Sequence, residues 1–364
     1  MAYKLNIDWQ DFMTNSWQKK PVILRNALVD FIDPISPDEL AGLSLEDEIE
    51  SRLVTHFNQE WQAKYGPFKE TDFADLGETH WSVLVQAVDH WHDNAATLVE
   101  PFRCFPQWLF DDLMISYSVP GGGVGPHIDQ YDVFIIQGMG RRRWRVGDIN
   151  PDYKQFCAHP ALLHVEHFTP IIDEEITAGD ILYIPPGFPH DGVCLEEALS
   201  YSVGFRSPTS QELLSSFADY TLEHDLGKMH YLDPDLSLDR NPLAIQPQEI
   251  AKLKAMMCEL INQPDYFNQW FGRHITHSMH SLNIEPVEPA YSVDEVVALF
   301  KDNALCQRVN SIRLLKVGDA YFINGRQLDL PKRLNEVLSQ HSSFDQHTLS
   351  DFLADAEVME KLTT

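Results

Sequence analysis

The feature that most constrains this chain is a pair of short motifs, residues 121–129 and 185–190, which read GGGVGPHID and PPGFPH. His127 and Asp129 are two positions apart, so on an extended strand their side chains lie on one face. In the second motif a stiff Pro-Pro-Gly corner presents His190. Two imidazoles and one carboxylate form the facial triad that holds non-haem Fe(II) and leaves coordination positions open. The motifs therefore predict a metal site formed by His127, Asp129 and His190.

The flanking residues make this prediction specific. A His-x-Asp pair alone is weak evidence in a chain with 16 His and 55 acidic residues. Here residues 113–119 and residues 180–184, which precede the two motifs, are both typical of strands. His164 and His167 also have ligand-like spacing, but they lack a second strand context, and we interpret them as surface residues.

Residues 113–205 consist of short apolar runs separated by Gly, Pro and Asp. Strands are predicted at residues 113–119, 133–137, 142–146, 180–184 and 200–205. Several short strands at such intervals indicate a small barrel or a sandwich, and the mouth of a barrel is a usual position for a cofactor. Residues 36–99, by contrast, are predicted to form helices that pack outside the β core.

One arginine is predicted to point inward. In the run RRRWRV at residues 141–146, Arg142 shares a face with Trp144 and Val146, whereas the other arginines alternate outward. A buried arginine is costly unless it is paired, and a bidentate carboxylate would pair it. The alternative, a basic strand that binds nucleic acid, does not explain the interleaved tryptophan.

Composition limits the classes of partner. The formal net charge is −28, which argues against general binding to nucleic-acid phosphates and suits a basic protein partner. Acidity that only confers solubility explains the charge equally well. The five cysteines are widely spaced, so neither a disulfide framework nor a zinc ribbon is expected. With no apolar stretch of membrane-spanning length, we expect a soluble cytoplasmic protein without membrane contact.

The β signal stops after residue 205. A capping box at Thr209 and Glu212 predicts a helix, a second helix begins near Pro247, and an aromatic segment follows at residues 266–271. These helices could simply pack on the barrel. In the tail, a helix at residues 292–300 and a hairpin at residues 312–323 are similar to a winged helix. This tail is acidic and lacks a basic recognition stripe, so we expect a protein-contact or structural domain rather than one that binds DNA.

The two motifs together resemble the double-stranded β-helix of cupins, specifically the JmjC hydroxylases, and residues 127–138 and 140–146 resemble its ribosomal-oxygenase branch. The resemblance implies an α+β fold in which a double-stranded β-helix (jelly-roll, cupin) core carries flanking helices. It also implies a helical dimerisation module and a C-terminal winged-helix-like domain. The expected domains are residues 1–207, 208–280 and 281–364, and the expected assembly is a homodimer.

The same resemblance implies a 2-oxoglutarate-dependent dioxygenase that uses Fe(II) and O₂. The implied reaction is hydroxylation of an arginine β-carbon in a large-subunit ribosomal protein, the sixteenth in the usual series. Arg142 matches the 2-oxoglutarate anchor and Ser116 its hydroxyl partner, although Ser118 and Ser202 can also face inward. Tyr131 and Asp132 are candidates for seating the substrate guanidinium.

Two other functions remain open from the sequence. One is another enzyme on the same barrel: a JmjC demethylase of methyl-lysine, a hydroxylase of another residue, or a metal-dependent sugar isomerase. The other is a non-catalytic adaptor built from an inactive barrel and a winged helix. The presence of His127, Asp129, His190 and Arg142 speaks against the adaptor, which needs none of them.

Overall fold

The computed structural model describes residues 3–58, 60–282, 284 and 288–363. It divides into two compact units. The first comprises Met1–Ser207, Met279–Ile284 and Val309–Ser311, and the second comprises Pro208–Ser278, Glu285–Arg308 and Ile312–Thr364. The principal boundary thus falls where the β signal of the sequence ends. The three-domain division of the chain stays a prediction.

The first unit is built mainly from strands. Its strands are β1 Val22–Leu24, β2 Ser51–Phe57, β3 Glu60–Tyr65, β4 Trp81–Val85, β5 Phe110–Ser118, β6 His127–Ile128, β7 Asp132–Gln137, β8 Arg141–Gly147, β9 Gln155–His159, β10 Leu162–Val165, β11 Pro170–Thr177, β12 Ile181–Ile184, β13 Pro189–Cys194 and β14 Ala198–Phe205. Its helices are α1 Trp9–Asn15, α2 Pro37–Leu43, α3 Glu70–Ala74, α4 Val88–Trp91 and α5 Asp93–Ala96, with a 3₁₀ turn at Glu100–Phe102. All five strands predicted between residues 113 and 205 are present.

Two antiparallel sheets face each other in this unit. The larger has the order β1-β12-β7-β14-β5-β4-β2-β3, the smaller has the order β11-β8-β13-β6, and β9 pairs with β10 in a separate hairpin. Side chains from both sheets meet in one cluster, to which β7 contributes Val133 and Ile135 and β8 contributes Trp144 and Val146. This arrangement is the jelly-roll packing of a double-stranded β-helix.

The central strand β7 is buried on both faces, which explains its uninterrupted apolar sequence. Val133 and Ile135 point into the space between the sheets. Phe134 and Ile136 point to the opposite face, where they pack in a second cluster with Phe12 of α1. The apolar helices and loops of residues 3–109 therefore cover the outer face of the larger sheet.

The prediction that residues 36–99 are mainly helical is wrong. Three strands, β2, β3 and β4, lie in this stretch and extend the larger sheet beyond β5. In β2 the buried positions do not alternate cleanly, because a core cluster covers each face of the strand: Leu53 packs on one side and Val54 on the other. Such a strand lacks the period-two pattern that identifies strands in a sequence.

The second unit begins with three helices, α6 Ser210–Glu223, α7 Pro247–Ile261 and α8 Pro264–Thr276. The predicted capping box of Thr209 and Glu212 opens α6. The remaining elements are α9 Val293–Lys301, β15 Cys306–Gln307, β16 Leu314–Val317, β17 Ala320–Ile323, β18 Arg326–Gln327, α10 Lys332–Gln340, β19 Ser343–Phe344, α11 Gln346–Leu349 and α12 Ala356–Thr363. The helix and the hairpin predicted in the tail are thus confirmed, with β18 as a third strand.

Two expectations of the composition can be compared with the fold. All five cysteines are free thiols, as expected without a disulfide framework. Within the described part of the chain, no helix combines the length and the apolar character that crossing a membrane requires.

Candidate active site

The three predicted ligands meet between the two sheets. His127 begins β6 and pairs with His190 of β13, while Asp129 follows β6 directly. The Nε2 atoms of His127 and His190 lie 3.6 Å and 3.5 Å from Oδ2 of Asp129. All three ligand atoms lie within 4.8 Å of one another. Atoms that bind one metal at about 2 Å lie roughly 3 Å apart in adjacent positions, so this group fits a single divalent ion.

Hydrogen bonds orient both imidazoles toward that position. Nδ1 of His127 lies 2.8 Å from the carbonyl oxygen of Gly125, and Nδ1 of His190 lies 3.0 Å from that of Phe188. Since a carbonyl oxygen can only accept, each Nδ1 carries the proton and donates it. The lone pair is therefore on Nε2 in both rings, the tautomer that a metal ligand needs.

The charges of the three side chains support one another. Burial disfavours the charged form of Asp129, but the two adjacent imidazoles stabilise it and hold the pKa of the carboxyl well below its usual range. Burial also opposes the charged form of His127, yet the charge of Asp129 and its hydrogen bond outweigh burial and raise the pKa of this imidazole. A divalent cation bound by the imidazoles would balance the negative charge of Asp129 in place of a proton on His127.

The glycine run before His127 serves chain packing. A Cβ at Gly122 would meet the backbone oxygens of Trp81 and Val119, and one at Gly123 would meet the carbonyl of Gly192. Gly125 has a φ of +81° and packs against the ring of His164. The run therefore lets the loop lie directly on β4 and β13, and this contact positions His127.

Arg142 points into the same cavity as the triad. Its side chain is 6% exposed, whereas Arg141, Arg143 and Arg145 face outward. Nη2 of Arg142 donates to Oγ of Ser118 at 2.7 Å, but its Nε has no acceptor among the described residues. A buried donor without a partner is costly, so this guanidinium is arranged for an anionic ligand.

The outward arginines of β8 are all neutralised, which removes the alternative of a basic nucleic-acid-binding strand. Arg141 pairs with Glu175 and Glu196, Arg143 with Asp173, and Arg145 with Asp191. The acidic partners come from β11 and β13, the neighbours of β8 in the smaller sheet, and from the loop after β13. No free basic face is left on this strand.

The serine that contacts Arg142 is not the one that the family resemblance implies. Ser116, Ser118 and Ser202 all line the cavity, which has a volume of about 350 Å³. The residue that binds Arg142 directly is Ser118, whose hydroxyl also accepts from Ser82 at 2.7 Å. Ser116 is buried at the cavity wall, and its role toward a ligand stays a prediction.

Of the two candidates for seating a guanidinium, only Tyr131 lines the cavity. Burial, reinforced by the charge of Asp129, raises the pKa of Tyr131 well above its usual value, so the phenol is neutral. Asp132 is 1% exposed and accepts from the hydroxyl of Tyr183 and the amide of Gln18. The interpretation of Asp132 as a substrate contact is wrong, because its carboxylate joins β7 to Tyr183 of β12 and to Gln18 in the turn after α1.

His164 is a cavity residue that sequence analysis missed. It is 1% exposed, lines the cavity, and its Nε2 lies 2.8 Å from the carbonyl of Val124, so the surface interpretation is wrong for this residue. Trp61 packs edge-on against the ring with centroids 4.8 Å apart. The signal that could have revealed His164 is its position on β10, between the apolar residues Leu162 and Val165.

Comparisons with known proteins agree with this geometry. A profile described as JmjC domain matches residues 97–213, and one described as ROXA-like winged helix matches residues 259–364. The first range contains the triad and Arg142, and the second contains α9, the β16–β18 sheet and α10. By fold and by site, the first unit is a JmjC domain of the cupin type.

Two curated relatives extend over nearly the whole chain. The ribosomal protein uL16 3-hydroxylase of Escherichia coli (strain K12) is 52% identical, and the alignment covers 100% of this chain and 96% of the relative. A probable ribosomal oxygenase of Haemophilus influenzae is 30% identical over 93% of this chain and 88% of its own length. The chain belongs to the ribosomal oxygenase family of JmjC-domain proteins.

Solved structures give the same result. The X-ray structure of E. coli YcfD superimposes with a TM-score of 0.95 at 52% identity, covering 100% of this chain and 97% of that one. A structure of YcfD in complex with cobalt and 2-oxoglutarate superimposes with a TM-score of 0.91 at 50% identity and the same coverage. The JmjC and winged-helix architecture predicted from the sequence is thereby confirmed.

Proposed function

We propose that this protein is an Fe(II)- and 2-oxoglutarate-dependent dioxygenase that hydroxylates an arginine of ribosomal protein uL16 at its β-carbon. The observation that carries the proposal is the cavity shared by two complementary features. One is the triad of His127, Asp129 and His190, and the other is the buried guanidinium of Arg142, whose Nε has no acceptor among the described residues. A metal ion and a dicarboxylate satisfy both at once.

Each residue has a distinct task in this reaction. His127, Asp129 and His190 would hold Fe(II) through two imidazole nitrogens and one carboxylate oxygen. Arg142 pairs with the distal carboxylate of 2-oxoglutarate, while Ser118 fixes the orientation of the guanidinium. With O₂, the bound iron and cosubstrate supply the oxidising chemistry, which yields succinate, carbon dioxide and a hydroxylated substrate carbon. Val133 and Ile135 give the cavity an apolar wall.

The choice of substrate rests on the relatives and on charge. The E. coli relative carries the name ribosomal protein uL16 3-hydroxylase. Ribosomal proteins are basic, and a net charge of −28 steers a basic chain toward this protein in the cytoplasm. Within the cavity, Tyr131 offers an aromatic face next to the metal site on which the guanidinium of a substrate arginine can stack.

The proposal is tested with purified protein, Fe(II), 2-oxoglutarate, O₂ and a uL16 fragment. Mass spectrometry should show a product heavier by about 16 Da, the mass of one added oxygen, and fragmentation should place it on an arginine. Asp129→Ala should abolish the product, because it removes one ligand and leaves two imidazoles. Release of formaldehyde without the mass increase would instead identify a demethylase, and turnover without 2-oxoglutarate would contradict the mechanism.

We also propose that the protein is a homodimer joined through the helices of the second unit. Helix α7 spans 15 residues and buries none of them in the single chain. Most helical stability in proteins comes from packing of an apolar face, so a helix of this kind needs a partner. Large apolar side chains are exposed throughout this region, at Leu214, Leu222, Met229, Leu232, Leu236, Leu238, Leu243, Ile245, Ile250, Leu253 and Met257.

The aromatic segment takes a smaller part in this interface than the sequence suggested. Trp270 is already buried within the second unit, where it packs against Phe217 with ring centroids 5.1 Å apart. Its indole N–H donates to Oγ of Ser216 at 3.0 Å, so α6 and α8 hold each other in place. We therefore propose that α7 and the loop before it form the interface, and that the acidic winged helix has a protein-contact or structural role rather than binding DNA.

A further inference from the structure

The indole of Trp144 is the second buried donor in the cavity that lacks an acceptor. It is 5% exposed, lines the cavity, and its Nε1 has no hydrogen-bond partner among the described residues. Buried indole N–H groups usually find an acceptor, and leaving one unpaired costs free energy. The unpaired donor is therefore a feature that a bound ligand can satisfy.

The ring of Trp144 lies near both Arg142 and the candidate metal ligand His190. The guanidinium carbon of Arg142 lies 5.8 Å from the ring centre, and the imidazole of His190 lies 6.0 Å away between ring centroids. Trp144 and Arg142 are two residues apart on β8, and His190 is on the adjacent strand β13. The indole thus lies between the cation that anchors the cosubstrate and a ligand of the metal.

A glycine on the neighbouring strand keeps the indole in this place. Gly192 is the partner of Trp144 in the β8–β13 ladder. A Cβ on Gly192 would lie 2.7 Å and 2.8 Å from atoms of the six-membered ring, so any other residue would displace the indole. The ring is therefore held flat against the backbone of β13, with its orientation set by packing on one side.

We propose that the indole N–H of Trp144 donates a hydrogen bond to an oxygen of bound 2-oxoglutarate, which makes Trp144 a cosubstrate-binding residue. This inference rests on the proposed function, because it assumes the same cosubstrate on Arg142. The molecule carries carboxylate oxygens at both ends and a keto oxygen near the metal. A donor that lies between the anchor and the metal is within reach of one of them, and an anionic acceptor makes the bond strong.

The first test is a titration of the Zn(II)-loaded protein with 2-oxoglutarate, which measures binding without turnover. Trp144→Phe removes the N–H and keeps an aromatic ring, and it should raise the Kd for 2-oxoglutarate about 10- to 100-fold, the value of a hydrogen bond to a charged group. Trp81→Phe is the matched control, because its indole donates to the carbonyl of Gly77 outside the cavity. This control should leave the Kd unchanged.

Thermal unfolding separates binding from packing. Without 2-oxoglutarate, Trp144→Phe loses a donor that is unpaired. Its Tm should therefore fall less than that of Trp81→Phe, which loses the bond to the carbonyl of Gly77. The rise in Tm on adding 2-oxoglutarate should be smaller in Trp144→Phe than in the wild type. An equal rise in both proteins would overturn the proposal.

A spectroscopic measurement tests the hydrogen bond in the wild-type protein itself, and it uses the variant only to assign the signal. In ¹⁵N-labelled wild-type protein, the indole resonance of Trp144 is identified by its loss in Trp144→Phe, and it should move downfield when 2-oxoglutarate is added to the Zn(II) form. A wild type that binds 2-oxoglutarate while this resonance stays in place contradicts the assignment of Trp144 alone. A wild type that does not bind 2-oxoglutarate contradicts the proposed function and this inference together.

Discussion

At the scale of single residues, the site is defined by polar groups that the protein leaves without partners. Nε of Arg142 and Nε1 of Trp144 are both buried, and both lack acceptors among the described residues. Folding proteins normally pair such groups, so two of them facing one cavity indicate a ligand with oxygen atoms. In the proposed binding mode, the two donors would place the cosubstrate along β8, from Arg142 toward the three candidate metal ligands.

On β8, only the arginine that points into the cavity should contribute to the affinity for 2-oxoglutarate. We expect Arg142→Gln to weaken 2-oxoglutarate binding at least about 100-fold, because it removes a buried charge that pairs with a carboxylate. Arg143→Gln, one residue along and facing outward in an ion pair with Asp173, should change the affinity less than about twofold. Calorimetric titration of the Zn(II) forms measures both, and equal effects would mean that Arg142 is not the anchor.

His164 should make the fold sensitive to mild acid. Burial lowers the pKa of this imidazole, so the unfolded chain binds the proton more tightly than the folded chain does. The stability that this histidine contributes is present above its ordinary pKa and is lost as the pH falls through the lowered value.

We therefore expect His164→Gln to reduce the drop in Tm between about pH 7.5 and about pH 5.5. A glutamine amide can still donate to the carbonyl of Val124, so the hydrogen bond can survive the change. The matched control is His167→Gln at the exposed position three residues further on, which should follow the wild-type curve. Thermal unfolding at several pH values gives the comparison, and an unchanged acid sensitivity in His164→Gln would refute it.

At the scale of elements, the metal ligands are positioned by contacts between strands and a loop. His127 lies opposite His190 because β6 pairs with β13, and the glycine loop lies on β13 because Gly123 has no side chain. Two antiparallel neighbours thereby bring together residues that are 63 positions apart. The hairpin β9–β10 adds His164 to the same cavity through the carbonyl of Val124.

The contact between Gly123 and the backbone of Gly192 in β13 should lose stability when one methyl group is added. Gly123→Ala places a Cβ against the backbone of Gly192, and since backbone cannot move aside easily, we expect a loss of about 1–3 kcal/mol in the free energy of unfolding. Gly77→Ala, where a Cβ would meet nothing within 4 Å, should change stability by less than about 1 kcal/mol. Urea unfolding measures both variants, and equal losses would show that the contact is not tight.

At the scale of the whole molecule, the two units differ in how they bury apolar side chains. The first unit encloses large clusters on both faces of its principal sheet. The second has a compact cluster around Phe300, Leu334 and Phe352, but its helix α7 and the segment before that helix expose many apolar residues. Exposed apolar surface of this extent typically marks an interface.

The homodimer proposal makes a direct prediction about assembly. Leu253 and Met257, which lie four positions apart on α7, are 43% and 68% exposed. Changing both to glutamate should convert the dimer to a monomer, because buried like charges would face each other across a two-fold axis. Lys254→Glu, an exposed position between them, should leave the dimer intact. Size-exclusion chromatography with light scattering distinguishes the outcomes, and a wild type that is monomeric would refute the proposal.

The sequence alone determined the features that depend on local periodicity and stiff turns. The spacing of His127 and Asp129, the corner before His190 and the inward direction of Arg142 follow from alternation along single strands and from proline and glycine geometry. The capping box at Thr209 and the hairpin of the winged helix are local for the same reason. Such patterns can be recognised in a sequence without knowing which residues pack against them.

Only the tertiary structure decided which partners these residues have. The bond from Arg142 to Ser118, the burial of His164 and the bond from Tyr183 of β12 to Asp132 of β7 all depend on strands that are distant in the chain. Likewise, β2 and β4 were not recognisable because packing on both faces removed their alternation. Burial and hydrogen bonding between distant strands are properties of the folded sheets, and no local pattern encodes them.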